Sequence, residues 1–274
     1  MTWTILVLVV AIALFLFGGM LVKGDGKKPT TGAIFVKKAI KLVSILLIAG
    51  CVTRLYLPYY LTSVNPAIVQ EMITGMQEQQ NAAKNKAIRK HVRSNGDKMV
   101  AHAPIMGKRD AKKTIYVWTD FSCPYCRRVH GELERVLGER DDVRVVVKNF
   151  SIHGPLSDGP ARAVIAANMQ DGAKADRLVR MLMSREFYSQ DDLKDQAHIA
   201  DKVEANVMKM ANEAGLDTAK LKEDMNSPIV AEELANVRDL AQTFEISGTP
   251  FLIIGEQAFP GAIPYSQIVE ALDK

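Results

Sequence analysis

Two cysteines bracket Pro124 and Tyr125 between a strand-like run, Thr114 to Phe121, and a helix-like run, Arg127 to Leu137. The chain must therefore bring a strand end and a helix start to one point. Thiols three positions apart on the first turn of a helix can close a small disulfide. A helix N-terminus carries partial positive charge and free N–H groups, which favour a thiolate on Cys123. The thiolate is the attacking species in disulfide exchange. The segment reads as a redox site, and its place at a strand-to-helix junction strengthens the reading.

The only other cysteine is Cys51, in an apolar segment far from the pair. That excludes a structural disulfide framework and suits a catalyst that makes or breaks bonds in other proteins. The net charge of +4 is unevenly spread. Residues 23–41 carry six lysines against Asp25, and residues 84–113 carry ten Lys/Arg against Asp97 and Asp110. Residues 114–274 are acidic, with 18 basic and 26 acidic side chains. The basic character thus belongs to the N-terminal third. Membrane topology explains it better than nucleic-acid binding, and no nucleic-acid partner is expected.

Trp3 to Val22 is free of charge and long enough to cross a bilayer as a helix. It lacks the basic start of a secretory signal, and Phe17-Gly18-Gly19 is a weak cleavage site, so it reads as a retained span. A second apolar stretch covers about 39–61, with Lys41 and Arg54 near its ends, where long side chains reach the headgroups. Tyr56, Tyr59 and Tyr60 suit an interfacial girdle, and Pro58 suits a helix end. The lysines predict that loop 23–38 is cytoplasmic. The expectation is an anchor over residues 1–61 in a bacterial inner membrane, with both ends outside. The catalytic domain then lies in the periplasm, an oxidising compartment. Ile48-Ala49-Gly50-Cys51 also resembles a lipobox, but the chain stays apolar after it to Leu61, and an ordinary small residue in a span is the better reading.

Residues 62–113 read as a helical, basic stem or linker. Asn65 as cap and Pro66 at the first helical position predict a helix to about His91. Val69, Met72, Met76, Gln79 and Ala83 follow a short, imperfect heptad. The stem is either a solvated spacer or a surface that pairs protomers into a homo-oligomer through 65–91.

Strand-like runs at 114–121, 143–150 and 250–254 enclose a block of helical patterns over about 158–244, with a last helix at 264–273. That order predicts an α/β fold with a helical insertion. Here the chain resembles the DsbA-like branch of the thioredoxin superfamily. The resemblance rests on Thr119-Asp-Phe-Ser-Cys-Pro-Tyr-Cys126, on Gly248-Thr-Pro250 before a strand, and on Pro260-Gly-Ala-Ile-Pro264 before a helix. It covers residues 100–274, with the thioredoxin-like domain set at 114–274. The stem is also similar, less specifically, to that of oligomeric members, including those associated with copper resistance.

The resemblance implies roles. Cys123 would be the exposed nucleophile and Cys126 the more buried resolving thiol. Pro250 would follow a cis bond and face the disulfide, with Thr249 offering its backbone to substrate. Pro124 and Tyr125 would tune the thiolate and its surface. Many thioredoxin-fold proteins carry a buried acid six positions before the first cysteine; here Val117 stands there, which speaks against a fast reductase. Asp120 is nearer, but an odd step places it on the other strand face.

Haem attachment would need His after Cys126, and Arg127 is there. Cys123, Cys126 and His130 lack a fourth partner for a closed zinc site, so no metal is expected. His130 and His153 lie near enough in sequence to stabilise a thiolate, although partly exposed histidines are commoner. Arg127 and Arg128 read equally as thiolate-stabilising or solvated. The cofactor is then the Cys123–Cys126 disulfide itself. The leading expectation is a membrane-anchored oxidant of cysteine-containing envelope proteins, reset by a membrane redox partner. An oligomeric isomerase using the same site is the alternative. A scaffold for a secretion or conjugation system, with secondary redox activity, is a third reading.

Overall fold

The computed structural model describes residues 2–21, 31–60, 63 and 66–274. Residues 23–30 of the basic loop, Leu61 and the expected cap Asn65 lie outside the described residues. The chain divides into two units, Met1–Gln80 and Asn81–Lys274.

In the first unit, helix α1 (Thr2–Leu21) packs against α2 (Thr31–Tyr59). The outward side chains are apolar: Leu6, Leu16, Phe35, Leu42 and Leu46 are each more than half exposed. Such a surface marks contact with a membrane or a partner. Cys51 is buried within α2, and Ser44 donates its hydroxyl to the Ile40 carbonyl at 2.8 Å. Tyr56 lies 6.3 Å from Tyr59 and 6.0 Å from Tyr60, ring to ring. Among the described residues, no helix is long and apolar enough to cross a membrane. The expected spans 3–22 and 39–61 each end on a residue outside that set.

The second unit is built on a five-stranded sheet of order β1-β3-β2-β4-β5. Its strands are β1 (Ile105–Gly107), β2 (Lys113–Thr119), β3 (Val143–Asn149), β4 (Phe251–Ile254) and β5 (Gln257–Pro260). Parallel β2 and β3 are joined through α4 (Pro124–Glu139), while β1, β4 and β5 run antiparallel to their neighbours. Alternation along the central strands feeds two cores, because side chains i and i+2 share a face. Ile115 and Val117, with Val145 and Val147, face the core around α4. Tyr116, Trp118 and Val146 face the other. With both faces covered, Ile115–Trp118 and Val145–Val147 form unbroken buried runs.

The expected insertion at about 158–244 is six helices: α5 (Pro155–Gln170), α6 (Gly172–Ser184), α7 (Gln190–Lys194), α8 (Ile199–Glu213), α9 (Thr218–Asp224) and α10 (Pro228–Thr243). Asp171, Asp217 and Ser227 cap α6, α9 and α10 by accepting from free N–H groups. A last helix, α11 (Tyr265–Leu272), returns to pack on α4.

The stem reading needs correction. Helix α3 (Pro66–Val100) does not end near His91, and its second half is no free linker. Ile88 and Met99 are fully buried against Tyr116, Trp118 and Val146. The reason is Ile88 and Val92, one turn apart, with Met99 beyond a break in the helix at Asn95 (φ −133°, ψ 16°), all hidden among the basic residues. His91 packs edge-on against Phe244, with ring centres 5.1 Å apart. Asn85 accepts from the Ala258 N–H of edge strand β5 at 3.0 Å, and Arg89 and Arg93 pair with Glu256 in the preceding turn. Residues 105–107, also assigned to the stem, form β1.

Beneath α10, Lys148 and Glu233 form an enclosed ion pair at 2.8 Å, their side chains 0% and 1% exposed. Burial pushes the Lys148 ammonium down, against the pull of Glu233.

Candidate active site

The thiol pair sits where β2 ends and α4 begins. Cys123 is the N-cap of α4, in extended conformation (φ −82°, ψ 120°), with Pro124 in the first helical turn. Pro suits that place, since its missing N–H has no helical partner there anyway. The Cys123 carbonyl accepts from Cys126 N–H at 3.1 Å and Arg127 N–H at 3.2 Å. Both cysteines are free thiols, 6% and 1% exposed for Cys123 and Cys126. Cys123 is thus the more accessible of the two, although far from open.

The Thr249–Pro250 bond is cis. The Cys123 thiol donates to the Thr249 carbonyl at 3.6 Å, so residues more than a hundred positions apart meet at the sulfur. Gly261, at φ +82°, donates its N–H to the Pro250 carbonyl at 2.9 Å. The late Pro260-Gly261 motif therefore braces the Pro250 loop, and glycine tolerates that left-handed backbone without a Cβ clash.

Cys126 points into the fold. Burial pushes its thiol up to about 11, against the stabilising hydroxyl of Thr119. The Asp120 N–H lies 3.5 Å from its sulfur. The Thr249 hydroxyl is buried and makes no conventional hydrogen bond, which leaves it available to the same sulfur. Neutral Cys126 is the resting form at pH 7 wherever it is reduced.

Tyr125 is exposed, with the Arg128 guanidinium 5.7 Å from its ring centre. Arg127 lies 5.7 Å from the Phe187 ring and donates to the Arg185 carbonyl at 3.0 Å. Each arginine is thus committed to an aromatic ring. His153 meets Asp120 at 2.9 Å. His130 is buried on α4, where desolvation lowers its pKa to about 4.

Asp120 is not on the opposite strand face, because β2 has already ended at Thr119. Its carboxylate is enclosed and accepts from Ser122 N–H at 2.8 Å, Ile152 N–H at 2.9 Å and the Ser157 hydroxyl at 2.7 Å, besides His153. Burial alone would push it up; the hydrogen bonds win and hold it below its usual range. It staples the loop before Cys123 to the start of α5. No sequence spacing announced this, since Ser157 and Ile152 lie beyond an intervening strand.

The model of the DSBA-like thioredoxin domain matches residues 114–273. The chain belongs to that family. A thioredoxin-like oxidoreductase from Silicibacter pomeroyi DSS-3 superposes with TM-score 0.55 at 30% identity, covering 65% of this chain and 95% of that one. Disulfide bond formation protein D of Bacillus subtilis is 21% identical over 184 residues, 66% of this chain and 80% of that protein. The Na(+)/H(+) antiporter NhaA 1 of Mycolicibacterium gilvum is 25% identical over 172 residues, 62% of this chain. The chain spans 26% of that antiporter's length.

Proposed function

We propose that the protein is a membrane-anchored oxidant of envelope proteins. The observation that carries it is the asymmetry of the pair: Cys123 caps α4 beside the Thr249 carbonyl, while Cys126 is sealed beneath it. A substrate thiolate attacks Cys123 Sγ of the oxidised pair, and the electron pair of the broken bond passes to Cys126. A second substrate thiolate then attacks the substrate sulfur of the mixed disulfide. Substrate leaves oxidised, and the enzyme is left as the dithiol. The cis turn at Thr249–Pro250 offers the backbone to an extended substrate, and Tyr125 and Pro124 shape the rim. A membrane partner then resets the disulfide.

Anchoring is supported by the charge-free run 3–22, by the lysines of 23–41, and by the apolar exterior of α1 and α2. By the positive-inside rule, the lysine-rich loop supports a periplasmic catalytic domain. The match to part of an antiporter carries no transport activity over to this chain.

A Cys126→Ala variant tests the reading. It should trap mixed disulfides through Cys123, identifiable by mass spectrometry, from envelope proteins. Absence of any adduct would count against the redox assignment. A reporter fused after Lys274 and active only in the cytosol would overturn the topology. The isomerase reading draws on the exposed stripe Ile68, Met72, Ile73 and Met76 of α3, which suits pairing between protomers. A strict monomer without reshuffling activity on scrambled ribonuclease would remove it.

A further inference from the structure

Cys126 must lose a proton to close the disulfide and regain one when it opens, yet it is sealed from solvent. A small cavity beneath it has about 10 Å³ of room for the centre of a water molecule, enough for about one water. Cys126 and His130 both line this cavity. The two stand one turn apart on α4, so their side chains share a face. The remaining lining, from Met106 on β1 through Val117 and Val147 to Met183 on α6, is apolar apart from Thr119. No acid is among the residues that line the cavity, so His130 is the titratable group that shares it with the Cys126 thiol.

His130 also leads outward. Its Nε2 stands 3.2 Å from Glu134 Oε1, one further turn along α4. That oxygen is buried and makes no hydrogen bond in this arrangement, so the contact is misaligned for the neutral ring. The other Glu134 oxygen meets Arg180 of α6, which is held in turn by Asp176. These are the charged groups facing the histidine. Glu134 is one-third exposed and so joins the buried ring to solvent.

We propose that His130 is the proton relay for Cys126, exchanging the thiol proton through the shared cavity and passing it by way of Glu134 to solvent. The assignment rests on the redox reading of the Cys123–Cys126 pair. In re-oxidation by a small disulfide, the Cys123 thiolate first attacks one oxidant sulfur, the oxidant's S–S bond breaks, and its other half leaves as a thiolate. The proton of Cys126 moves to the imidazole, and the Cys126 sulfur attacks Cys123 Sγ. The Cys123–oxidant bond breaks, the oxidant leaves as a thiolate that takes a proton from water, and the relay discharges through Glu134. Two electrons pass from the dithiol to the oxidant. Burial disfavours the imidazolium, so the ring holds the proton only in passing, as the Cys126 sulfur attacks, and gives it up towards Glu134.

The test uses the full-length reduced protein and glutathione disulfide, with acid quenching and mass analysis to separate Cys123 glutathionylation from its resolution by Cys126. In His130→Gln, resolution at pH 7 should slow at least about tenfold, at the lower end of what a positioned acid–base group contributes. Glutathionylation should stay within about twofold, since Cys123 does not use the relay. In His130→Ala, which enlarges the cavity, added imidazole should restore resolution without shifting the thermal midpoint. Glu134→Gln should slow resolution and flatten its pH dependence. Equal resolution in wild type and His130→Gln would overturn the proposal. A wild type that never forms the Cys123 adduct would overturn the redox reading beneath it.

Discussion

An enclosed carboxylate such as Asp120 survives only because its hydrogen bonds replace water. Asp120→Ala leaves the Ser122 and Ile152 N–H groups facing an empty site, so a loss of about 1–3 kcal/mol is expected from urea unfolding. Acid should act on two groups in turn. The native pKa of His130 lies below its unfolded value of 6.5, at about 4. The unfolded chain binds the extra proton, so His130 favours folding fully above 6.5 and loses that effect as pH falls towards 4. The lost stability is on the order of 3 kcal/mol. Asp120, also depressed, contributes above the usual aspartate range and is lost as pH falls through its lower native value. Thermal midpoints from pH 7 to 3 should drop in two stages, and His130→Gln should remove the first. The Lys148–Glu233 pair gives a different expectation. Lys148→Met alone strands a buried charge and should cost about 3–5 kcal/mol, while adding Glu233→Leu should recover most of it.

Helix α3 carries its own lesson. Its second half is held by Ile88 and Met99 against Trp118 and Phe244, so Ile88→Ala should cost about 2–5 kcal/mol. The same change at exposed Met76, in the first half, should leave stability almost untouched. Melting curves of the two variants decide this. The charges of 84–113 stand out in the sequence more than Ile88, Val92 and Met99 among them, which is why the segment reads as a basic stem. The central strands were legible because both faces are apolar; β1 and β5, at three and four residues on the edges, carried no such signal. Cys123, Thr249 and Pro250 stood out because their chemistry is local to short motifs. Asp120 did not, because all its partners but Ser122 come from the 152–157 segment, beyond an intervening helix and strand. His130 could have been found from its spacing to Cys126, four positions along one helix face, had its burial been visible.

The two units divide the chemistry from the apolar helices. Residues 81–274 hold the sheet, the thiols and the Pro250 loop, so this portion alone should still oxidise a small dithiol at near the full-length rate in an absorbance assay. The corresponding 101–274 piece lacks Ile88 and Met99 and should melt far lower. A second effect follows from Asn85. Its side chain occupies the outward Ala258 N–H of β5, and Arg89 and Arg93 hold the adjoining turn. An open strand edge is a template for another chain. Cutting the protein at residue 101 would uncover that edge, and copies of the fragment should then stack into thioflavin-binding, β-rich aggregates that the 81–274 piece does not form.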